Sequence, residues 1–289
     1  MDDSKKATMV LVMNTFAFTV CFAVWMMNGV LITFLVDNGV YAWDKADMGW
    51  LIGIPVLTGS LVRLPVGILT DKYGGRIVYT ILMLIASAAT FTMSLVDSFN
   101  GFMLASLGFG ISGASFAVGI AYTSVWYSKE RQGTALGIFG AGNAGAALTA
   151  MFAPALLMYF TDDATNLDGW RMLPQMYSAC LLVMAVLFYA LTHFKRVEGG
   201  HTKSMSERLA PLKLLRVWRF GLYYFFVFGG FVALAQWLIP YYVNVYGMTV
   251  AMAGMMTSIF SLPSGVIRAA GGWLSDKFGA RPVMYWVLG

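Results

Sequence analysis

Apolar residues in this chain come in long unbroken runs, without the period-two alternation of a strand or the single stripe of a surface helix. The runs cover 8–36, 47–70, 76–96, 101–127, 133–159, 172–194, 217–246 and 249–273, and a ninth opens at 282. A hydrocarbon core of about 30 Å takes roughly 20 residues to cross, so each run is long enough to span a bilayer. Backbone groups find no partners in lipid except within their own segment, and the pattern therefore predicts helices throughout: an all-α membrane protein. The polar arm MDDSKKAT leads into a first run too long, and too closely followed by others, for a cleaved signal peptide, and it reads as a retained span. One long polar segment, from His193 to Arg219, separates six spans from those that follow. The predicted organisation is a six-helix bundle over 1–194, a linker over 195–216, and a partial second bundle over 217–289 holding spans seven, eight and the start of nine.

Composition agrees, with 59% hydrophobic residues, 11% charged and a mean hydropathy of +0.71, values foreign to soluble domains. Of the 19 Lys and Arg, Arg63 and Arg268 fall within spans and Lys45 and Arg171 in odd-numbered connections; the remaining 15 occupy the N-terminal arm and even-numbered connections. Odd-numbered connections carry Asp37, Asp44, Asp47, Asp97, Asp162, Asp163 and Asp168 instead. Positive loops stay in the cytoplasm, which predicts a multi-pass protein of the inner (plasma) membrane with a cytoplasmic N terminus. The net charge of +5 is thus a topology signal, and no nucleic-acid partner is expected. Cys21 and Cys180 lie in apolar runs without CxxC spacing and read as packing residues; no metal site is expected, and His201 stands in the linker with no partner in view. His193, at the end of the sixth run, reads as a helix cap.

The chain repeats itself. Arg63 stands eight residues before Asp71 in RLPVGILTDKYGGR, and Arg268 eight before Asp276 in RAAGGWLSDKFGAR, an offset of 205 throughout. A lone arginine in hydrocarbon costs roughly 2.5–3.5 kcal/mol on insertion scales, and a bound anion is the simplest compensation. Eight residues of helix place each arginine about 12 Å from its turn, near the middle of the core. No Asp or Glu lies inside a predicted span to pair with either.

Six spans, a basic linker and a second set with the same second-helix signature resemble the major facilitator superfamily, and GILTDKYGGR and GWLSDKFGAR resemble its repeated motif. The resemblance implies gating roles for Asp71 with Arg76 and Asp276 with Arg281, each aspartate capping a neighbouring helix end and meeting the following arginine. The fifth span, KERQGTALGIFGAGNAGAALTAMFAP, resembles the glycine-rich signature of the nitrate/nitrite porter family. Its small residues Gly133, Gly137, Ala141 and Gly145 recur at helical spacing, with Gly140 and Gly142 beside them, and form a helix-packing face. Asn143 within it can donate to a bound oxyanion. By the same resemblance Arg63 and Arg268 bind the substrate, and Phe116, Tyr224 and Phe228 wall the anion above and below. A guanidinium presents paired N–H donors that match a small planar oxyanion such as nitrate or nitrite.

The expected function is nitrate and/or nitrite transport by alternating access, as an exchanger, since the predicted spans hold no titratable carboxylate or histidine to couple a proton. Proton-coupled nitrate symport and organic-anion exchange are the alternatives, and a membrane sensor or non-transporting partner is a rival of another class. A monomer without cofactor, embedded in the lipid bilayer, is expected. The family has twelve spans and this chain about nine, so the expected fold is a complete six-helix half and an incomplete second half, from a fragment or truncated product. Gly108–Gly113 and Gly140–Gly145 match GxGxxG, but inside helical runs that fingerprint signals no nucleotide site. An enzyme is not expected, because no nucleophile sits near a base.

Overall fold

A computed structural model describes residues 2–195 and 204–288, and His201 lies outside them. Among the described residues eight helical segments are long and apolar enough to cross a membrane: spans one to eight, Asp3–Asp37, Lys45–Tyr73, Gly75–Met93, Phe99–Ser124, Gln132–Phe160, Leu167–Leu191, Leu215–Tyr246 and Val250–Phe278. A shorter helix, Ala280–Leu288, follows where the ninth run opens. No strand occurs among the described residues. The spans alternate between two faces of the bundle: a basic face carrying the N terminus and the even-numbered connections, and an acidic face opposite.

Spans two and eight outrun the predicted 70 and 273 because the helix continues through the hydrophilic motif. Asp71 and Asp276 therefore sit in last helical turns, and Gly74 and Gly279 end the helices at φ +87° and +90°, values that a Cβ would strain. The repeat extends to the opposite ends. Asp44 caps span two through Ala46 N and Asp47 N, both at 2.8 Å, and Thr249, 205 residues later, caps span eight through Met252 N.

Lipid supplies no hydrophobic drive between helices, so small and polar residues hold the bundle together. Asn14 Nδ2 donates to Gly119 O and Thr123 Oγ1, and Ser87 Oγ donates to Ser178 O at 2.8 Å. Spans five and eight touch backbone to backbone. A Cβ on Gly137 would stand 2.5 Å from Arg268 O, one on Gly265 would stand 2.8 Å from Ala144 N, and Gly272 presses on the Gly133 carbonyl. On the acidic face Arg171, one of its two basic exceptions with Lys45, pairs with Asp97 and donates to Ser94 O at 2.9 Å, which joins two connections. Asp97 is largely exposed, so Asp97→Asn is expected to cost under about 1 kcal/mol, read as a small shift of the unfolding midpoint in detergent.

Two minor expectations are corrected. Span six stops at Leu191, and Thr192 satisfies its end through Phe188 O; His193 caps no helix end, its ring facing Trp126 and its backbone oxygen accepting from the Tyr122 hydroxyl. Cys21 is buried as expected, whereas Cys180 points outward on span six and packs no core.

Four spans are interrupted. Span one breaks at Met26, span four has a 3-10 turn at Ile111–Ala114, span five one at Ala141–Asn143, and span seven a π-turn at Phe225–Gly229. The two GxGxxG matches fall on the breaks of spans four and five, where glycines weaken the regular helix. Interruptions of this kind expose backbone carbonyls and re-aim side chains, and they gather where the two arginines meet.

Candidate anion site between the two halves

Arg63 comes from span two and Arg268 from span eight, at matching depth, and both converge on one aromatic ring. The Arg63 guanidinium carbon lies 5.2 Å from the centroid of Phe228 and that of Arg268 lies 5.4 Å from it. Arg63 also faces Trp25 at 5.5 Å and Phe116 at 5.9 Å, while Arg268 faces Phe231 at 5.7 Å. Ring faces carry negative quadrupole density, so these contacts ease the burial of two cations without neutralising them.

Hydrogen bonding leaves donors to spare. Arg63 Nε donates to Gly113 O at 3.3 Å, a carbonyl at the break of span four, and its buried Nη2 has no partner. No carboxylate among the described residues pairs with either site arginine. Asn143 is fully buried at the break of span five, and neither its Nδ2 nor its Oδ1 is satisfied. Gly140, three residues before it, lies against Arg268, whose Cδ would be 3.3 Å from an added Cβ. A buried donor left unsatisfied costs about 1–3 kcal/mol, more when charged, so the arrangement asks for an acceptor carrying negative charge.

Phe116, Tyr224 and Phe228 come together. Phe116 stacks on Phe228 at 5.5 Å and 15°, Tyr224 on Phe228 at 4.8 Å and 18°, and Phe116 on Tyr224 at 5.9 Å and 21°. The three rings form one cluster and do not face each other across an open gap. Tyr224 and Phe228 are four residues apart on one helix and share a face, so a wall opposite them would have to come from Phe116 on span four.

A cavity of about 300 Å³ adjoins Arg268 on the side of the basic face. Phe116, Gly140 and Arg268 line its deep end, and Gly133, Gly272 and Ser275 its mouth. The glycines of span five thus serve twice: one edge packs on span eight and the other leaves the cavity open. Gly142 and Gly145 turn instead toward span one, against Phe18 and the Thr19 carbonyl.

The gating residues divide. Asp276 accepts from Gly133 N at 2.9 Å and from Thr134 N and Oγ1 at 2.6 Å, which caps span five from span eight. Asp276→Ala is expected to leave those N–H groups unmet and cost on the order of 1 kcal/mol, seen as a lower thermal midpoint. The expected meeting of each aspartate with the following arginine does not occur. Arg76 donates to Tyr189 O at 3.0 Å through Nε and lies over that ring, and Arg281 reaches Tyr285 Oη at 3.4 Å. Gly74 and Gly279 turn the chain between acid and base, so Arg76 and Arg281 belong to the next helix and point along it. Asp71 lines a water-sized cavity with Gly75, Tyr122 and Lys195.

Trp25, Phe231 and Gly113 were missed by sequence reasoning. Trp25 carried a usable signal, because tryptophans of spanning helices favour the interfaces and this one is central.

Comparison with known proteins bears on the same features. Residues 14–289 match the family model of the Major Facilitator Superfamily. The probable nitrate/nitrite antiporter NarK1 of Thermus thermophilus is 40% identical over 285 residues, 97% of this chain and 64% of that protein. The nitrite extrusion protein of Bacillus subtilis (strain 168) is 31% identical, over 92% of this chain and 65% of its own length. The probable nitrate/nitrite transporter NarK2 of Mycobacterium tuberculosis (strain H37Rv) is 32% identical, over 95% of this chain and 68% of its own. The chain therefore spans about two thirds of the length of these relatives. Among solved structures, a bacterial homolog of the human lysosomal transporter Spinster, inward-facing and occupied, superposes with a TM-score of 0.70 at 21% identity, covering 96% of this chain and 63% of that one. The Escherichia coli fucose:proton symporter gives 0.68 at 19%, covering 96% and 73%. At such identities these two show the fold alone. With the helical repeat, the spans and the relatives in agreement, the chain belongs to the nitrate/nitrite porter family of the major facilitator superfamily.

Proposed function

We propose that the chain carries nitrate and nitrite across the inner membrane by alternating access, N terminus in the cytoplasm, with Arg63 and Arg268 as the anion ligands and exchange as the mode. The observation that carries this reading is the meeting of two arginines from opposite halves at Phe228, with unsatisfied donors and no carboxylate beside them. An anion touching both guanidiniums links the halves, and an empty carrier leaves two buried cations uncompensated. That asymmetry favours crossing with an anion aboard in each direction, which is exchange. Asn143 supplies a further donor, Phe116, Tyr224 and Phe228 form the aromatic side of the site, and Asp71, Arg76, Asp276 and Arg281 hold the basic face. Relatives named as nitrate/nitrite antiporter and transporter support the substrate assignment. The working unit is a monomer in the bilayer, without cofactor.

Counterflow in proteoliposomes tests the mode. Labelled nitrate uptake should require nitrate or nitrite inside, change little between two pH values, and gain nothing from an imposed proton gradient. Uptake into empty vesicles driven by that gradient would replace exchange with symport. Competition by larger organic anions at equal concentration would replace nitrate as the substrate.

A further inference from the structure

The acidic-face side of the arginine site is closed by a hydrogen-bonded layer that the anion chemistry above does not use. Gln236 of span seven is 1% exposed and its Nε2 donates to Trp25 O at 3.2 Å, a carbonyl beside the Met26 break in span one. The Trp25 indole N–H donates to Pro55 O of span two at 2.8 Å, and its ring lies against Gly59, Gly113 and the Arg63 guanidinium. One turn on, Asn28 Nδ2 donates to Leu51 O at 2.7 Å. That carbonyl is the one freed four residues before Pro55, because proline has no N–H to offer it.

Trp25, Gln236 and Pro55 each stand about 10–12 residues, roughly 15–18 Å of helix, from the acidic-face end of their spans, and the Arg63 backbone lies about 12 Å beyond Pro55 along span two. The cavity reaches Arg268 from the basic face, past Gly133 and Ser275. Span one and span seven meet at this layer, between the acidic face and Arg63. The approach there is close. A Cβ on Gly29 would stand 2.7 Å from Gln236 Oε1 and 3.0 Å from its carbonyl, and Ile239, the next inward residue of span seven, is 1% exposed.

We propose that Gln236 and Trp25 form the latch of the acidic-face side, a pair of positioning residues that holds the two halves together over Arg63. The inference rests on the alternating-access reading. Trp25 joins the two events: its carbonyl receives the only side-chain hydrogen bond described between Gln236 and the first half, and its ring bears on the arginine that binds the anion. Opening toward the acidic face separates Gln236 from Trp25 O and Gly29 and releases the support behind Arg63. The Gln236 Oε1, buried without a partner, adds nothing to the closed state, so the latch is one ordinary bond and is weak enough to open.

The experiment uses two reporters in a Cys21→Ser, Cys180→Ser background, with the whole chain purified in detergent so that maleimide reaches both faces. Ile239→Cys reports the acidic-face side and Ser275→Cys the mouth of the basic-face cavity. Gln236→Met, which keeps volume and loses the donor, should raise Ile239→Cys labelling about fivefold, the population shift expected from one lost hydrogen bond, and slow Ser275→Cys labelling. Gly29→Ala, which pushes on the same contact from span one, should do likewise if Gln236→Met does not fold. Unchanged rates, or a rise at both reporters, would overturn the latch, the second because it marks general loosening. Nitrate enters as a separate arm. Opposed shifts that persist while nitrate alters neither rate would uphold the latch and sink the substrate assignment.

Discussion

Arg63→Lys and Arg268→Lys should each lower nitrate affinity roughly 10- to 100-fold, the value of a charge-assisted, paired donor lost, and reduce exchange accordingly. Lysine keeps the positive charge, so a site that needs only charge would survive the change. A site that grips a flat oxyanion through two parallel N–H groups would not, because an ammonium is a single compact point. Geometry adds a second reason: each guanidinium lies over Phe228, at 5.2 and 5.4 Å, a contact that a lysine stem does not reproduce. The double replacement should cost less than the two single effects combined, since both arginines would hold one anion. Equilibrium binding of nitrate to the purified protein, followed by counterflow, measures it. Affinity within about twofold of the parent in both variants would remove the arginines from the site.

The second large effect is structural. Gly137→Leu should destabilise the protein by at least about 2–3 kcal/mol and abolish counterflow, because there is no room for a side chain between spans five and eight. A Cβ there would stand 2.5 Å from Arg268 O and 3.1 Å from Gly272 Cα, and both are backbone, which cannot step aside as a side-chain tip can. Gly53→Leu is the control, since nothing lies within 4 Å of a Cβ at that place. It should fold and exchange like the parent. Thermal unfolding in detergent and counterflow of both variants check the pair, and equal behaviour would show that the glycine face carries no close contact. The same contact matters for transport: Arg268 rides on the helix that Gly137 touches, so a wedge there moves the anion ligand as well.

Much of this was legible from residue order. Spans follow from apolar runs, and their observed limits differ where polar residues continue the helix, as in the starts from Asp3 and Leu167 and at Asp71 and Asp276. The 205-residue repeat proved longer than the motif, reaching the caps Asp44 and Thr249. Arg63, Arg268 and Asn143 stood out because charge and amide in an apolar run need a reason. The aromatics were harder to place. Spacing on span seven puts Tyr224 and Phe228 on one face, yet that Phe116 stacks on them depends on where span four passes.

The amino-acid order alone determined which segments enter lipid, how deep the two arginines lie and that the halves correspond, because transfer of a helix into a membrane is a sum over its own residues and needs no neighbour. Only the tertiary structure decided that both arginines meet at Phe228, that Arg76 turns to Tyr189 while Asp276 caps span five, and that Gln236 closes on Trp25. Those outcomes join residues as many as 211 positions apart, and they rest on which polar atoms come within about 3 Å once helices pack, a condition no local pattern contains.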